Sequence, residues 1–172
     1  REKVDYLVSK EKHLDHVKRL HKSISDIESK EFANNQELMS SYIHILNDQV
    51  YPVFIGEDIN VMFDYDTFDG RTSGTHVHYM NELLIPTLQS MEQRFSNVSN
   101  ESKHKAMTAL MDFAKEKFNT IHSAFDTHRY EIAVSMIKIG GAEALPYVQG
   151  IFDDLLKIID DSDNRFISKV QQ

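Results

Sequence analysis

The sequence predicts an all-α protein: an antiparallel four-helix bundle with a short extra helix and one irregular insertion at about 56–75. Three observations carry that expectation. Apolar residues recur every three or four positions along most of the 172 residues, the periodicity of helices that each bury one stripe. The interruptions fall at Asn, Gly and Pro, the residues that start and stop helices. Apolar alternation, the signature of an extended segment, occurs at Val61, Phe63 and Tyr65, inside the insertion.

The first helix is expected from Val4 to about Phe32, with Leu7, Leu14, Val17, Leu20, Ile24 and Ile27 completing its stripe. Ala33-Asn34-Asn35 interrupts it. Met39, Tyr42, Ile43, Leu46 and Val50 then carry a second stretch, which Pro52 is expected to halt, because proline has no amide and its ring meets the carbonyl four residues back. The two stretches read as one kinked helix or as a helix and a short separate one. Gly56, Gly70 and Gly74 bracket the insertion; such an insertion is usually functional or disordered, and the aromatics Phe63, Tyr65, Phe68 and, just before it, Phe54 argue against disorder.

The third helix takes Val77, Met80, Leu84, Leu88, Met91 and Phe95, with Pro86 either kinking it or marking its first turn. A polar loop over 96–100 follows. A fourth helix is expected to run unbroken through Met107, Leu110, Ala114, Ile121, Phe125, Ile132, Met136 and Ile139. It would be on the order of 55 Å long. Gly140-Gly141 should end it with a left-handed cap. The last helix repeats Leu145, Val148, Phe152, Leu155, Ile159 and Phe166 at heptad-like spacing, with Pro146 in its first turn. The whole chain, 1–172, reads as one domain.

Composition narrows the function classes. Asp and Glu number 27 against 19 Lys and Arg, for a net charge of −8, and the basic residues are dispersed, so a nucleic-acid backbone would be repelled. There is no cysteine, which removes thiol catalysis and thiolate metal sites. No apolar run reaches the 18 or so residues that span a bilayer. Arg1 is not an initiator Met, and the last helical pattern reaches Val170 without a stop. The expectation is therefore a domain cut from a longer protein, its flanking helices continuing toward a membrane.

Nine histidines invite a metal reading. A ferritin-type di-iron bundle needs two Glu-x-x-His motifs, and the sequence holds Glu101-x-x-His104 alone. His78-x-x-x-Glu82 meets half of a hemerythrin-like pattern, but no His-x-x-x-His completes it. Asp64-x-Asp66-x-x-Asp69-Gly70 resembles a calcium loop whose third Asp and Gly come one residue late, with Thr75 in place of the bidentate Glu. A solvated acidic turn explains it more simply. His13, His16 and His21 read as a surface cluster of the first helix, with His21 nearest the stripe. No metal, cofactor or catalytic constellation is assigned.

A ligand pocket is expected instead from the insertion and the third and fourth helices. His128 falls on the apolar stripe, where a hydrogen-bonded core histidine is the plain reading and a ligand contact the sharper one. Arg71, Arg94 and Arg129 could converge on a carboxylate or phosphate through bidentate hydrogen bonds. Tyr65 and His78 complete the candidate ligand-binding set.

This organisation resembles the helical-bundle extracytoplasmic sensor domains of bacterial chemoreceptors and sensor histidine kinases. The resemblance lies in layout and in no motif. It implies a periplasmic or extracellular location, a small-molecule ligand or a solute-binding protein as partner, a homodimer, membrane attachment through flanking segments, and signalling by movement of the terminal helices. Two other readings stand beside it: a metal-binding bundle of the hemerythrin or ferritin kind, and a soluble globin-like or bundle module that binds a fatty acid or a protein.

Overall fold

The computed structural model describes residues 2–54, 80–119, 123–153, 155–157 and 160; for 2–10, 123 and 124 it describes the backbone alone. The insertion at 56–75 lies outside the described residues, as do 154, 158, 159 and everything beyond 160 in the last expected helix. The described segments are helical, joined by short turns, with no strand among them. The all-α expectation holds. Where the sequence reads as one domain, the chain forms two compact units, Arg1–Asn97 and Val98–Gln172.

In the first unit, helix α1 spans Glu2–Ser29 and helix α2 spans Asn35–Ile45. Asn34 separates them: its extended backbone breaks the path, and its side-chain oxygen accepts the Glu37 amide at 2.9 Å, a standard N-cap. Two distinct helices therefore replace the kinked-helix alternative. Beyond Ile45 the chain widens into a π-helical turn, Leu46–Val50, and continues as a short helix α3, Tyr51–Phe54.

Pro52 therefore does not halt the second stretch. It sits in the turn just after the π-helical segment, where the Tyr51 amide already reaches back five residues to the Leu46 carbonyl. Widening the helix there relieves the collision between the proline ring and the carbonyl four residues earlier. The same arrangement recurs at Pro86. A π-helical turn, Met80–Leu84, leads into helix α4, Ile85–Phe95, with Pro86 in the first turn of α4. In each case the proline is the second residue after a five-residue π turn, and the two π turns pack against each other.

Cross-helix contacts set the directions. His13 meets Glu82 and Ile27 meets Arg94, so α1 and α4 run parallel. Gln49 reaches Ser23 while Tyr42 reaches Ser90, so α2 runs against both. Between them Leu20, Ile24, Ile27, Leu38, Tyr42, Leu46, Leu84, Leu88, Met91 and Phe95 form the core. Tyr42 and Phe95 meet edge to face with ring centroids 6.5 Å apart.

In the second unit the expected long fourth helix is two helices. Helix α5 spans Asn100–Lys117, capped by Ser99, whose hydroxyl accepts the Ser102 amide. Phe118 then leaves the helical region at φ −121°, ψ 45°, and helix α6 spans Ser123–Gly140. The apolar periodicity runs through the break unchanged, because a helical hairpin needs the same stripe on both arms that a single rod would need. Periodicity alone is blind to the reversal.

Gly141 takes the left-handed conformation, φ +61°, as the sequence leads one to expect, and opens a 3₁₀ turn, Gly141–Ala144. The chain is helical again over 145–153, here α7. Met107 and Met111, one turn apart on α5, lie against Gly140 and Gly150. A Cβ added at either glycine would come within 2.4 Å and 2.5 Å of the respective methionine sulfur. These glycines are there to let helices approach closely.

Candidate functional site

The polar groups of the two units differ in what occupies them. In the second unit they close turns. Arg129 is almost fully buried, its guanidinium donating at 2.5 Å to the carbonyl of Phe118, which has just left helix α5, and also to the Asp126 carboxylate. His128 is buried beside it, its ring 5.0 Å from that of Phe118 and 5.6 Å from that of Phe125. Both expected ligand residues of this unit thus build the α5–α6 corner. His104 bridges Glu143 at 3.0 Å and the Tyr147 hydroxyl at 2.9 Å, tying α5 to the 3₁₀ turn and α7.

The first unit holds a cleft of about 340 Å³ between the parallel helices α1 and α4. That lies at the small end of the roughly 300–1,000 Å³ typical of small-molecule sites. His21, Ser25 and Glu28 present one wall from α1 at helical spacing, and Gln89, Ser90 and Gln93 the other from α4.

At the floor of the cleft a hydrogen-bonded chain joins three helices. Ser90 donates to the Glu28 carboxylate at 2.8 Å, so its single hydroxyl proton is committed and it accepts from the Tyr42 hydroxyl at 2.7 Å. Ser90 and Tyr42 are buried, whereas Glu28 is exposed at the cleft mouth. Tyr42 ionises above its usual value of 10.0: burial raises it most, the Ser90 hydrogen bond and nearby Arg94 pull it down, and Glu28 pushes it up again. It is a neutral donor at physiological pH.

Arg94 is the one expected site residue near this chain. Its guanidinium donates to the Ile27 carbonyl at 3.2 Å, which anchors the end of α4 to that of α1. Tyr65, Arg71 and His78 lie outside the described residues, as do the acidic turn and His76. Arg94 belongs to the first unit, and His128 and Arg129 to the second. A second cleft of about 490 Å³ lies between α1 and α2, where Gln49 donates to Ser23 and Ser41 to the Glu37 carbonyl.

Sequence reasoning missed one buried histidine. His13 is 6% exposed and meets Glu82 at 2.5 Å, fastening α1 to the second π turn, while Leu14 is left 53% exposed. The signal was the seven-residue spacing of 13, 20 and 27, which keeps these positions on one face. Among the described residues, no group of three or more His, Asp or Glu is placed to hold a metal ion, and no helix is long and apolar enough to cross a membrane. Comparison with protein-family models, with characterised proteins and with solved structures found no match.

Proposed function

We propose that this chain is an extracytoplasmic ligand-binding domain of a bacterial transmembrane signal-transduction receptor, which binds a small solute in the α1–α4 cleft. One observation carries the reading: a pocket of ligand size whose floor is a hydrogen-bonded chain linking α1, α2 and α4. A solute that hydrogen-bonds Glu28 or Ser90 competes for groups that also set how α1 lies against its neighbours. Binding then favours one packing of the helices over another, which is what a receptor transmits. The paired π turns supply compliance, since a π turn is a helix already one residue out of α register. The antiparallel bundle, the homodimer and the membrane attachment belong to the same proposal.

The absence of cysteine makes the test clean. Spin labels at Lys22→Cys on α1 and Ser96→Cys just beyond α4 report the offset between these helices. A solute that raises the melting temperature should change the interlabel distance by about 1–2 Å, the scale of a signalling helix shift. An unchanged distance with bound solute would remove the signalling role. The membrane attachment is tested in the gene: an intact reading frame with no apolar span of about 20 residues within a few turns of either end overturns it.

A further inference from the structure

We infer that the solute bound in the α1–α4 cleft is a protonated amine carrying further hydrogen-bonding groups, its ammonium seated on Glu28. The inference rests on the proposed binding role of this cleft and specifies the ligand class.

Charge selects the class. Glu28 brings the cleft lining its one carboxylate, and neither Lys nor Arg contributes to it. Among the described residues no cation pairs with Glu28. Its partner is the neutral hydroxyl of Ser90, and the nearby guanidinium of Arg94 is turned to the Ile27 carbonyl. A carboxylate accepts through several lone pairs, so Glu28 can hold an ammonium while keeping the Ser90 hydrogen bond. An anionic solute would meet this carboxylate with no Lys or Arg in the lining to compensate it, inside a protein of net charge −8.

The remainder of the ligand must match the other walls. The side chains of Ser25, Gln89 and Gln93 hydrogen-bond to no other described residue, and Gln89 and Gln93 offer both amide donors and amide acceptors. Ile24 on α1 and Pro86 on α4 add an apolar strip to the lining. A short aliphatic chain lies on that strip, with its ammonium at Glu28 and a hydroxyl or second amine at the glutamines. Alkyl diamines and amino alcohols fit that description; dicarboxylates and fatty acids do not.

Calorimetric titration of the full chain with 1,4-diaminobutane and ethanolamine, against the neutral 1,4-butanediol and the anionic succinate, tests this. The amines should bind and the diol and succinate should not. Glu28→Gln should weaken amine binding by about tenfold or more, the loss expected for one charge-assisted hydrogen bond. Gln93→Lys, a change at an exposed side chain, places a fixed cation in the cleft and should abolish amine binding; circular dichroism melts of each variant confirm that it is folded. Amine binding that neither variant alters overturns the assignment. Succinate or the diol binding in a way that Gln93→Lys alters overturns the amine class and leaves the cleft as a site. If no solute in a broad neutral, anionic and cationic set binds with sensitivity to either variant, the binding role of the cleft falls as well.

Discussion

The first unit leaves polar groups facing a cleft, whereas the second spends its polar groups on closing its own turns. Both contain helices that reverse direction, and both bury a hydrogen-bonding side chain at the reversal or between the arms. In the second unit Arg129 donates to a backbone carbonyl and to an exposed carboxylate of its own helix. In the first, the Tyr42–Ser90 pair ends at Glu28, which opens to solvent. The difference lies in what surrounds the exposed end: Glu28 lines a cleft, whereas Asp126 closes a turn of its own helix.

The comparison is broken most directly at Arg129. Arg129→Ala should destabilise the chain by about 2–4 kcal/mol, because it empties a large buried volume and strips the Phe118 carbonyl of its donor. Asp126→Asn should cost no more than about 1 kcal/mol, since that carboxylate is 72% exposed and its ion pair is screened by water. Urea melts of both variants check the ordering. Equal losses would show that the ion pair, and not the carbonyl bond, holds the corner. Neither variant should change solute affinity in the first unit.

The two glycines of the second unit sharpen the contrast within it. Gly140→Ala meets Met107, which is fully buried and has no room to yield, and should cost about 1–3 kcal/mol. Gly150→Ala meets Met111, which is partly exposed, so the flexible thioether can swing outward at smaller cost. Thermal melts that rank the two the other way would mean that the methionine environment does not decide the outcome.

These positions also show what the sequence makes legible. The all-α class, the Asn34 break and the left-handed Gly141 follow from local chemistry, and each is where pattern and propensity place it. The prolines were visible too, but their effect was not. Pro52 stops an α-helix only if the helix stays α, and a π turn is a tertiary choice that no propensity encodes. The reversal at Phe118 was hidden because both arms of a hairpin share one apolar period. The cleft was hidden for a related reason. His21, Ser25 and Glu28 form a polar stripe at helical spacing, which a helix shows equally where it faces water and where it faces a groove. The arginines drew attention by charge, and at Arg94 and Arg129 backbone carbonyls take part of it.

In the first unit the Tyr42–Ser90 pair gives the next test. Ser90→Ala leaves the buried Tyr42 hydroxyl without its acceptor and should cost about 1–2 kcal/mol. Tyr42→Phe in the Ser90→Ala background should recover part of that, because removing both partners is cheaper than stranding one. A strictly additive double mutant would show that the two hydroxyls do not communicate, and with it the link from cleft to α2 would be lost.

The smallest effect is a pH dependence confined to the same tyrosine. Burial raises the Tyr42 ionisation in the folded chain above the 10.0 of an ordinary tyrosine, so the folded state holds the phenolic proton when the unfolded state has begun to release it. Stability from this group is therefore complete below about pH 10 and falls as pH climbs through and beyond that value, because the unfolded chain then binds fewer protons than the folded one. The other tyrosines and the lysines titrate in the same range, so the informative quantity is a difference. Urea stability of the wild-type chain and of Tyr42→Phe, compared between pH 9 and pH 11, should converge as pH rises, the wild type losing more. Parallel pH profiles for wild type and Tyr42→Phe would mean that Tyr42 is not desolvated in solution and that water already reaches the floor of the cleft.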